Sequence, residues 1–266
     1  MSFLQISSTV VKHSITRADR PIATLSLVYP RFIHGEFMTH RAFSRNAMSS
    51  RAVPVAKMIA QVRADPAMPV HWGANQPGMQ ADGEISAADL QRAKDLWREA
   101  AGDAADVAQM MADMGLHKQV VNRILEPFQW MRTIVTATDW DNFFELRCHD
   151  AAEPNMRALA ECMKRSLELS TPVVRDVHLP YFDDTEYLKV RDVMQAAMVS
   201  SARCARVSYL NHDGSDPVIA KDLDLAASLQ SSRHASPFEH VAFAAGADVR
   251  SRNFMGWTQF REIICL

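Results

Sequence analysis

The sequence has little net charge, few cysteines and no long hydrophobic run, and each absence excludes a class of protein. A formal net charge of -2 over 266 residues argues against a dedicated nucleic-acid binder, which usually has a basic excess. The four cysteines form no CxxC pair, so neither a metal site nor a disulfide framework is expected. The apolar runs are too short to span a bilayer, and no signal peptide precedes them. We therefore expect a cytoplasmic protein without a metal, membrane or nucleic-acid partner.

Several common catalytic motifs are also absent. The sequence contains no Walker loop, GxGxxG segment, EF-hand loop or recognisable Ser-His-Asp triad. No cysteine stands next to an obvious activating base, which a thiolate nucleophile would need. Apolar residues nevertheless make up 48% of the chain, enough for a sizeable core.

Hydrophobic periodicity predicts both strands and helices. Alternating apolar residues predict strands over 22–29, 131–137 and 241–245. Spacings of three and four predict helices over 32–44, 86–114, 117–125, 140–147, 155–169, 190–201 and 253–263. A further helix, with Asp216 as N-cap and Pro217 as its first residue, should run to Ser231. Residues 65–82 and 176–185 should be irregular.

These elements together predict an α+β fold. We expect a single helix-rich domain over 1–266, with a small mixed or antiparallel sheet and a helical insert at about 86–126.

The first polar cluster lies between His40 and Arg51. It contains two arginines, Arg41 and Arg51, and the hydroxyls of Ser44 and Ser49. Guanidiniums and hydroxyls near a helix end could bind a phosphate bidentately. The alternative is an exposed helix end whose arginines contact nothing.

The second polar cluster surrounds Pro237-Phe238 near the other end of the sequence. His234, Ser236, Glu239 and His240 supply two imidazoles, a hydroxyl and a carboxylate, which could hydrogen-bond the edge of a heterocycle. A pair of core histidines satisfied by the local backbone is the alternative.

A third group consists of Arg123, Asn142 and Arg147. Asn142 and Arg147 are five residues apart, so on a helix they diverge by about 140° and need not share a face. An ordinary exposed helix would also explain them.

Taken together, these segments resemble the flavin-dependent thymidylate synthases. The hallmark of that family is Arg-His-Arg, then a serine after seven residues and an arginine two positions on; this chain has Thr39-His40-Arg41, Ser49 and Arg51. The family's Ala-Arg-Val-Ser-Tyr and His-x-Ser/Thr-Pro-Phe-Glu-His elements are matched at 205–209 and 234–240. Its Ala-Arg-x-x-Leu-Pro and Asn-x-x-x-Leu-Arg stretches are echoed at 122–127 and 142–147. In the family the serine and histidine elements precede the hallmark, so the chain resembles a rearranged or circularly permuted relative.

Departures from the family pattern concentrate around the hallmark. Thr39 replaces its first arginine, Ala47 a glutamate, Glu36 a glutamine and Ala52 a tyrosine. Ala151 stands near the position where family members carry a flavin-contacting histidine.

A faint internal echo offers replacements for the altered residues. The strand over 22–29 is followed by Glu36 and His40-Arg41, and the strand over 241–245 is followed by Gln259 and Arg261. Gln259 and Arg261 could therefore supply the missing glutamine and arginine, although chance similarity explains the echo equally well.

The resemblance implies an enzyme that transfers a one-carbon unit from methylenetetrahydrofolate to C5 of dUMP, using FAD reduced by NADPH and no cysteine nucleophile. Ser49 and Arg147 are the expected catalytic residues, and Arg147 would polarise a pyrimidine carbonyl. The expected substrate-binding residues are Ser49, Ser50, Arg51, Arg123, Arg147, Gln259 and Arg261. The expected flavin-binding residues are His40, Arg41, Asn142, Ser208, His234, Ser236 and Glu239. Family members are homotetramers with sites shared between subunits, so a homo-oligomer is expected.

Three alternatives remain open at this stage. A hydroxymethylase would let water rather than hydride capture the exocyclic methylene on dUMP or dCMP. A non-catalytic relative would bind flavin or nucleotide but would have lost activity with Thr39 and Ala47. A helical interaction domain with coincidental motifs would bind neither.

Overall fold

The largest sheet lies at the centre of the computed structural model, which describes residues 4–81, 83–207 and 215–265. Its strands are β1 (Ser7–Ile15), β2 (Pro21–Pro30), β3 (Ser44–Ala47), β4 (Trp130–Ala137) and β5 (Val173–Val174). They lie in the order β3-β4-β2-β1-β5. Neighbours are antiparallel except for β1 and β5, which are parallel.

Helices surround this sheet, and together the elements confirm the predicted α+β class. The helices are α1 (His34–Phe37), α2 (Val55–Ala64), α3 (Ala87–Asp113), α4 (Lys118–Ile124), α5 (Asp141–Arg147), α6 (Pro154–Glu168), α7 (Val193–Ala205), α8 (Ile219–Ser231) and α9 (Phe260–Ile263). Single 3-10 segments lie at Arg31–Ile33, Glu126–Phe128, Asp184–Lys189 and Ser236–Glu239. No helix within these described ranges is long and apolar enough to cross a membrane.

The remaining strands are short and lie in the last third of the chain. They are β6 (Val177–His178), β7 (Ala242–Ala244), β8 (Arg250–Ser251), β9 (Phe254–Met255) and β10 (Trp257–Gln259). Strand β7 pairs with both β6 and β10, and β8 forms a hairpin with β9.

The structure confirms several predicted elements, together with the local sequence signals that predicted them. The side chain of Ser86 accepts the Asp89 amide at the start of α3, as the capping pattern predicts. Gly115, with φ +84°, follows the end of this helix. The predicted strands over 22–29, 131–137 and 241–245 correspond to β2, β4 and β7.

The helix predicted over 32–44 is wrong beyond Phe37. Arg45 folds back, and its Nη1 donates to the carbonyl oxygens of Phe37, Met38 and His40 at 3.2, 2.9 and 2.9 Å. Residues 44–47 then pair with β4. Tertiary pairing therefore overrides the local helical period.

The helix predicted over 253–263 is also wrong over most of its length. Gly256 has φ +75°, a conformation that ends regular structure and favours glycine. The chain forms β9 before this residue and β10 after it, and only Phe260–Ile263 is helical.

The predicted N-cap at Asp216 is wrong by two residues. Val218 is extended, with φ -114° and ψ 121°, and is itself the N-cap of α8. A helix therefore cannot begin at Pro217.

The two faces of β2 meet different partners because side chains alternate along a strand. Leu25, Leu27 and Tyr29 pack in one core with Leu159 and Met163 of α6. On the opposite face, Ile22 packs with Ala242, Phe254 and Trp257 from the last third of the chain.

A chain of buried hydrogen bonds joins the opposite face of the sheet to residues 178 and 240. Ser14 Oγ bonds His178 Nδ1 at 2.9 Å, and Thr24 Oγ1 bonds His178 Nε2 at 2.8 Å. Thr24 Oγ1 also bonds Thr136 Oγ1 at 2.6 Å, and Thr136 Oγ1 bonds His240 Nδ1 at 2.8 Å. All five side chains are buried, so each bond spares a polar group the cost of burial without a partner.

A separate ionic network stabilises the last third of the chain. The buried Arg203 donates to Asp222 at 2.9 Å and to Glu186 at 2.7 Å. Arg206 also contacts Asp222. These pairs tie α7 to α8 and to the 3-10 segment before α7.

The two histidines of the buried hydrogen-bond chain predict an acid-sensitive fold. Burial holds the pKa of His178 well below its usual value and lowers the pKa of His240 to about 3, so both are neutral when folded. Below about pH 6.5 the unfolded chain protonates both histidines, and the folded state does not. The free energy of unfolding should therefore fall by up to about 1.4 kcal/mol per pH unit for each histidine as the pH drops from 6.5 towards 4. Urea denaturation at several pH values measures this slope.

Two variants provide the comparison. His240→Gln should reduce the slope, whereas His149→Gln, at an exposed histidine, should leave it unchanged. Equal slopes in the wild type and both variants would contradict the prediction.

Candidate active site

The first three hallmark residues, Thr39, His40 and Arg41, lie on a turn between α1 and β3 that faces helix α5. This turn and the helix enclose a cleft of about 320 Å³, here called the hallmark cleft. It is lined by Thr39, His40, Arg41, Ala42, Phe43, Asp139, Asn142, Phe143, Leu146 and Arg147. The structure thus brings together four residues that the sequence predicts for the site, two from the hallmark and two from α5. Asn142 and Arg147 reach the same cleft despite their five-residue spacing.

His40 and Arg147 form the central contact of the hallmark cleft. Arg147 Nε donates to His40 Nε2 at 3.0 Å, and the His40 ring packs edge-on against Phe143 at 4.7 Å between centroids. Burial, with the positive charges of Arg147 and Arg45, lowers the pKa of His40 to about 4. The imidazole is therefore neutral at pH 7, and its Nε2 can accept the guanidinium proton. This bond fixes one edge of the guanidinium and orients the rest.

A second cluster gathers around the carboxylate of Glu126. Its Oε1 accepts from Arg31 Nη2 and Arg123 Nη1, both at 2.8 Å, and lies 3.4 Å from Ser50 Oγ. The Asn122 amide positions Ser50 by donating to its carbonyl oxygen at 2.7 Å. Two guanidiniums and a hydroxyl around one oxyanion are the groups that bind a phosphate oxygen. Arg123 and Ser50 thus contact the same carboxylate, and their role at a nucleotide stays a prediction.

Ser49 and Arg51 flank this second cluster on the surface. Both are exposed, and Ser49 Oγ accepts the Arg51 amide at 3.3 Å. In the described part of the chain, the Arg51 side chain has no hydrogen-bond or ion-pair partner.

Two residues near the end of the chain contact the start of β3 and the turn before it. Gln259 Nε2 donates to Ser44 Oγ at 3.2 Å, and Asn253 Nδ2 donates to the carbonyl oxygen of Ala42 at 2.9 Å. Gln259 is fully buried and is not among the residues that line the hallmark cleft. Within one chain it supports Ser44, and a direct role at substrate stays a prediction.

The remaining predicted residues fall into different environments. Arg261 forms an ion pair with Glu239, so each neutralises the other in this chain. His234 is exposed and Ser236 is half-buried. Ser208 lies outside the described residues.

The cysteines offer no activated thiolate near the hallmark cleft. Cys148 follows Arg147, and burial raises its pKa. Burial likewise raises the pKa of the Cys162 and Cys204 thiols. These three thiols are therefore protonated at pH 7, which disfavours nucleophilic attack by sulfur.

Sequence reasoning missed three polar residues that organise this region. Arg31 and Glu126 complete the second cluster, and Arg45 holds the hallmark turn through three carbonyl oxygens. Only Arg45 had a usable signal, because it lies inside the hallmark segment. The pairing of Arg31 with Glu126 joins residues 95 positions apart and leaves no local pattern.

Comparison with solved structures shows the same fold elsewhere. The chain is similar to a UMP/dUMP methylase, PolB from Streptomyces cacaoi, bound with 5-Br UMP: TM-score 0.52, 19% identity, covering 61% of this chain and 88% of that one. The same enzyme bound with 5-Br dUMP gives TM-score 0.52 and 16% identity, covering 62% of this chain and 91% of that one. No curated protein matches the sequence.

A profile of the family described as "Thymidylate synthase complementing protein" (Thy1) matches residues 11–173. The matched range covers more than half of the 266 residues and contains both sides of the hallmark cleft. The serine and histidine elements at 205–209 and 234–240 lie beyond it. On the strength of this match, the chain belongs to the thymidylate synthase complementing protein family.

Proposed function

We propose that this protein is a flavin-dependent thymidylate synthase-like enzyme that transfers a one-carbon unit from methylenetetrahydrofolate to C5 of dUMP. The observation that carries the proposal is the Arg147–His40 contact: a guanidinium fixed by a neutral imidazole, in a cleft lined by two family motifs. A methylase that acts on UMP and dUMP shares the fold, which supports a pyrimidine nucleotide as substrate.

Flavin fits the donors and rings of the hallmark cleft. Arg41 and Asn142 carry N–H groups that can bind carbonyl or phosphate oxygens, and Phe143 offers an apolar wall. His40, Arg41 and Asn142 would hold the flavin from this chain. When bound, FAD would carry electrons from NADPH to the one-carbon unit.

The side chains have separate tasks in this proposal. Arg147 would bind a pyrimidine carbonyl and stabilise the negative charge that develops there when C5 becomes nucleophilic. His40 keeps the guanidinium in place without adding a competing charge. Arg45 holds the turn that carries His40, so its effect on the reaction is indirect.

The Glu126 cluster is the proposed site for the nucleotide phosphate. Arg31, Arg123 and Ser50 already bind an oxyanion there, although it belongs to the protein itself. Ser49 and Arg51 are exposed beside it and can reach a ligand. A phosphate would have to displace the Glu126 carboxylate from the two guanidiniums.

We also infer a homotetramer with shared sites. No residue of the Glu126 cluster lines the hallmark cleft, so one copy does not surround a nucleotide with both groups of residues. A second copy could bring its Glu126 cluster to the hallmark cleft of the first. Ser208, His234, Ser236 and Glu239 would also act at such a shared site.

The domain organisation supports a rearranged single domain. Contacts such as Thr136–His240 and Ser44–Gln259 join the family-matched range to the last third of the chain. Helices α3 and α4, which lie in the helical insert inferred at about 86–126, share a separate apolar core with α2. The serine and histidine elements would thus reach the sheet from the opposite end of the sequence.

A hydroxymethylase is the second candidate, and Ala47 favours it. This residue replaces a hallmark glutamate and lies in β3, packed against the core. In a hydroxymethylase, the altered hallmark would let water rather than hydride capture the exocyclic methylene on dUMP or dCMP.

Product analysis tests the proposal. The purified protein should bind FAD with a yellow absorbance band and convert dUMP, with methylenetetrahydrofolate and NADPH, to dTMP detected by mass spectrometry. A product heavier by one oxygen would identify the hydroxymethylase. Binding of flavin without turnover of dUMP or dCMP would indicate a non-catalytic relative, and colourless protein without nucleotide affinity would overturn the proposal.

Arg147→Lys should lower the turnover of dUMP at least 100-fold, because an ammonium cannot both bond His40 and bind a carbonyl in the fixed fork of a guanidinium. Steady-state rates with saturating nucleotide measure this loss. Arg132→Lys, at an exposed position on β4 outside the cleft, is the matched control. Retained activity in Arg147→Lys would remove Arg147 from the mechanism.

Glu126→Gln should tighten the binding of dUMP several-fold, because the phosphate no longer competes with a carboxylate for Arg31 and Arg123. Calorimetric titration with dUMP and with deoxyuridine measures the effect, and deoxyuridine should show no change. Glu145→Gln, at an exposed residue of α5, is the control. Weaker binding of dUMP to Glu126→Gln would show instead that the carboxylate orients the arginines for the ligand.

A further inference from the structure

Arg45 stands near the start of β3, shortly after the hallmark turn. At this position the family hallmark specifies no residue type. Its neighbours Ser44 and Asn46 bond residues of the last third of the chain. Because side chains alternate along a strand, the Arg45 side chain leaves β3 on the opposite face, towards the turn that carries His40.

The half-buried Arg45 guanidinium holds the backbone of this turn. Its Nη1 donates to the carbonyl oxygens of Phe37, Met38 and His40 at 3.2, 2.9 and 2.9 Å. Phe37 is the last residue of α1 and Met38 its C-cap, so two of these carbonyls lie at a helix end, where the usual helical partner is missing. The third belongs to His40 itself. One cation thus fixes the path of the chain from α1 to His40.

His40 must accept a hydrogen bond to keep Arg147 in place. Arg147 Nε donates to His40 Nε2 at 3.0 Å, so the neutral ring carries its proton on Nδ1. A protonated imidazole has an N–H group at both nitrogens and would turn a donor towards the guanidinium. The contact therefore requires a neutral His40.

Burial and two guanidiniums keep His40 neutral. Burial, with the charges of Arg147 from α5 and Arg45 from β3, lowers the pKa of His40 to about 4. The other ionisable groups near this contact are Arg41, Asp139 and Glu36. Arg45 does not line the hallmark cleft, so it acts on His40 without meeting a ligand there.

A second imidazole, outside the hallmark cleft, responds to the same cation. Burial and the charges of Arg31 and Arg45 lower the pKa of His34 to about 4, against the opposing effect of Glu126. His34 Nδ1 lies 2.8 Å from the hydroxyl of Tyr29. His34 is therefore a second reporter of the charge at position 45.

We propose that Arg45 is a positioning residue that acts through His40: its bonds hold the turn, and its positive charge keeps the imidazole available as the acceptor for Arg147. The effect on catalysis rests on the proposed function, whereas the effect on His40 does not. Replacements separate the two contributions. Lysine keeps the charge without the planar fork, and glutamine keeps an N–H donor without the charge.

An NMR titration of the full chain, labelled at histidine Cε1, tests the charge. The His40→Gln and His34→Gln variants identify the two signals, because each removes one of the ten histidines. In Arg45→Gln the titration midpoints of His40 and His34 should both rise, that of His40 by about 1 pH unit. Arg45→Lys should keep both midpoints at their wild-type values.

Steady-state kinetics with dUMP test the hold on the turn. At alkaline pH, where His40 is neutral in every variant, Arg45→Lys and Arg45→Gln should each lower kcat several-fold. KM for dUMP should stay nearly unchanged, because no substrate contact is lost. As the pH falls, Arg45→Gln should lose further activity where its His40 titrates, and Arg45→Lys should not.

Matched controls separate this effect from a general change of charge or fold. Arg132→Gln removes an exposed arginine from the neighbouring strand β4, outside the hallmark cleft, and should leave kcat and both midpoints unchanged. The exposed His149 should titrate alike in all proteins. Circular dichroism at each pH confines the comparison to folded protein. Arg45→Lys keeps the test valid if Arg45→Gln does not fold, because a raised His40 midpoint in this charge-preserving variant would overturn the proposal.

The outcomes distinguish this inference from the proposed function. A His40 signal that titrates in Arg45→Gln as it does in the wild type would overturn the role of Arg45 and leave the proposed function standing. Raised midpoints in Arg45→Gln, in a protein whose wild type never converts dUMP or dCMP, would overturn the proposed function and keep the effect of Arg45 on His40.

Discussion

The structure depends on the docking of the last third of the chain onto the polar face of the central sheet. The hydrogen-bond chain from Ser14 through His178, Thr24 and Thr136 to His240 crosses three strands and two later segments. Without the later segments, the hydroxyls of Ser14, Thr24 and Thr136 would lose their bonds to the two histidines. The same docking brings Asn253 to the hallmark turn and Gln259 to Ser44 of β3. Stability and site geometry therefore share one interface.

Several charged residues of the proposed binding sites are paired within the protein. Glu126 neutralises Arg31 and Arg123, and Glu239 neutralises Arg261. Such pairs hold long side chains in a binding geometry before a ligand arrives, which reduces the entropy lost on binding. They also require an incoming anion to compete with a carboxylate. Arg41, Arg51 and Arg250 are instead exposed to solvent and form no ion pair with residues the structure describes.

Much of the helical content followed from periodicity, because α3 and α6 are long and begin at capping side chains, those of Ser86 and Glu153. Strand β2 was equally visible as an alternating segment. Strands β1 and β3 and helix α2 were not predicted. β3 is an edge strand of four residues whose conformation comes from pairing with β4, and no local pattern encodes such a partner.

The candidate site was predictable where a motif keeps its residues close in sequence. His40 and Arg41 belong to the hallmark, Asn142 and Arg147 to one helix, and the structure places all four in one cleft. Contacts between distant segments were not predictable in this way. Arg31 meets Glu126 only because the segment after β2 packs against the 3-10 segment before β4, and a single sequence carries no record of that approach.

Gly256 constrains, and is constrained by, a residue far away in the sequence, Arg20. The stem of Arg20 occupies the space that any side chain at 256 would need, and the backbone there has a positive φ that favours glycine. Positions 20 and 256 therefore cannot vary independently. Among homologous sequences, a residue bulkier than glycine at position 256 should coincide with a shorter residue than arginine at position 20. The residue at 256 would therefore indicate which relatives retain Arg20.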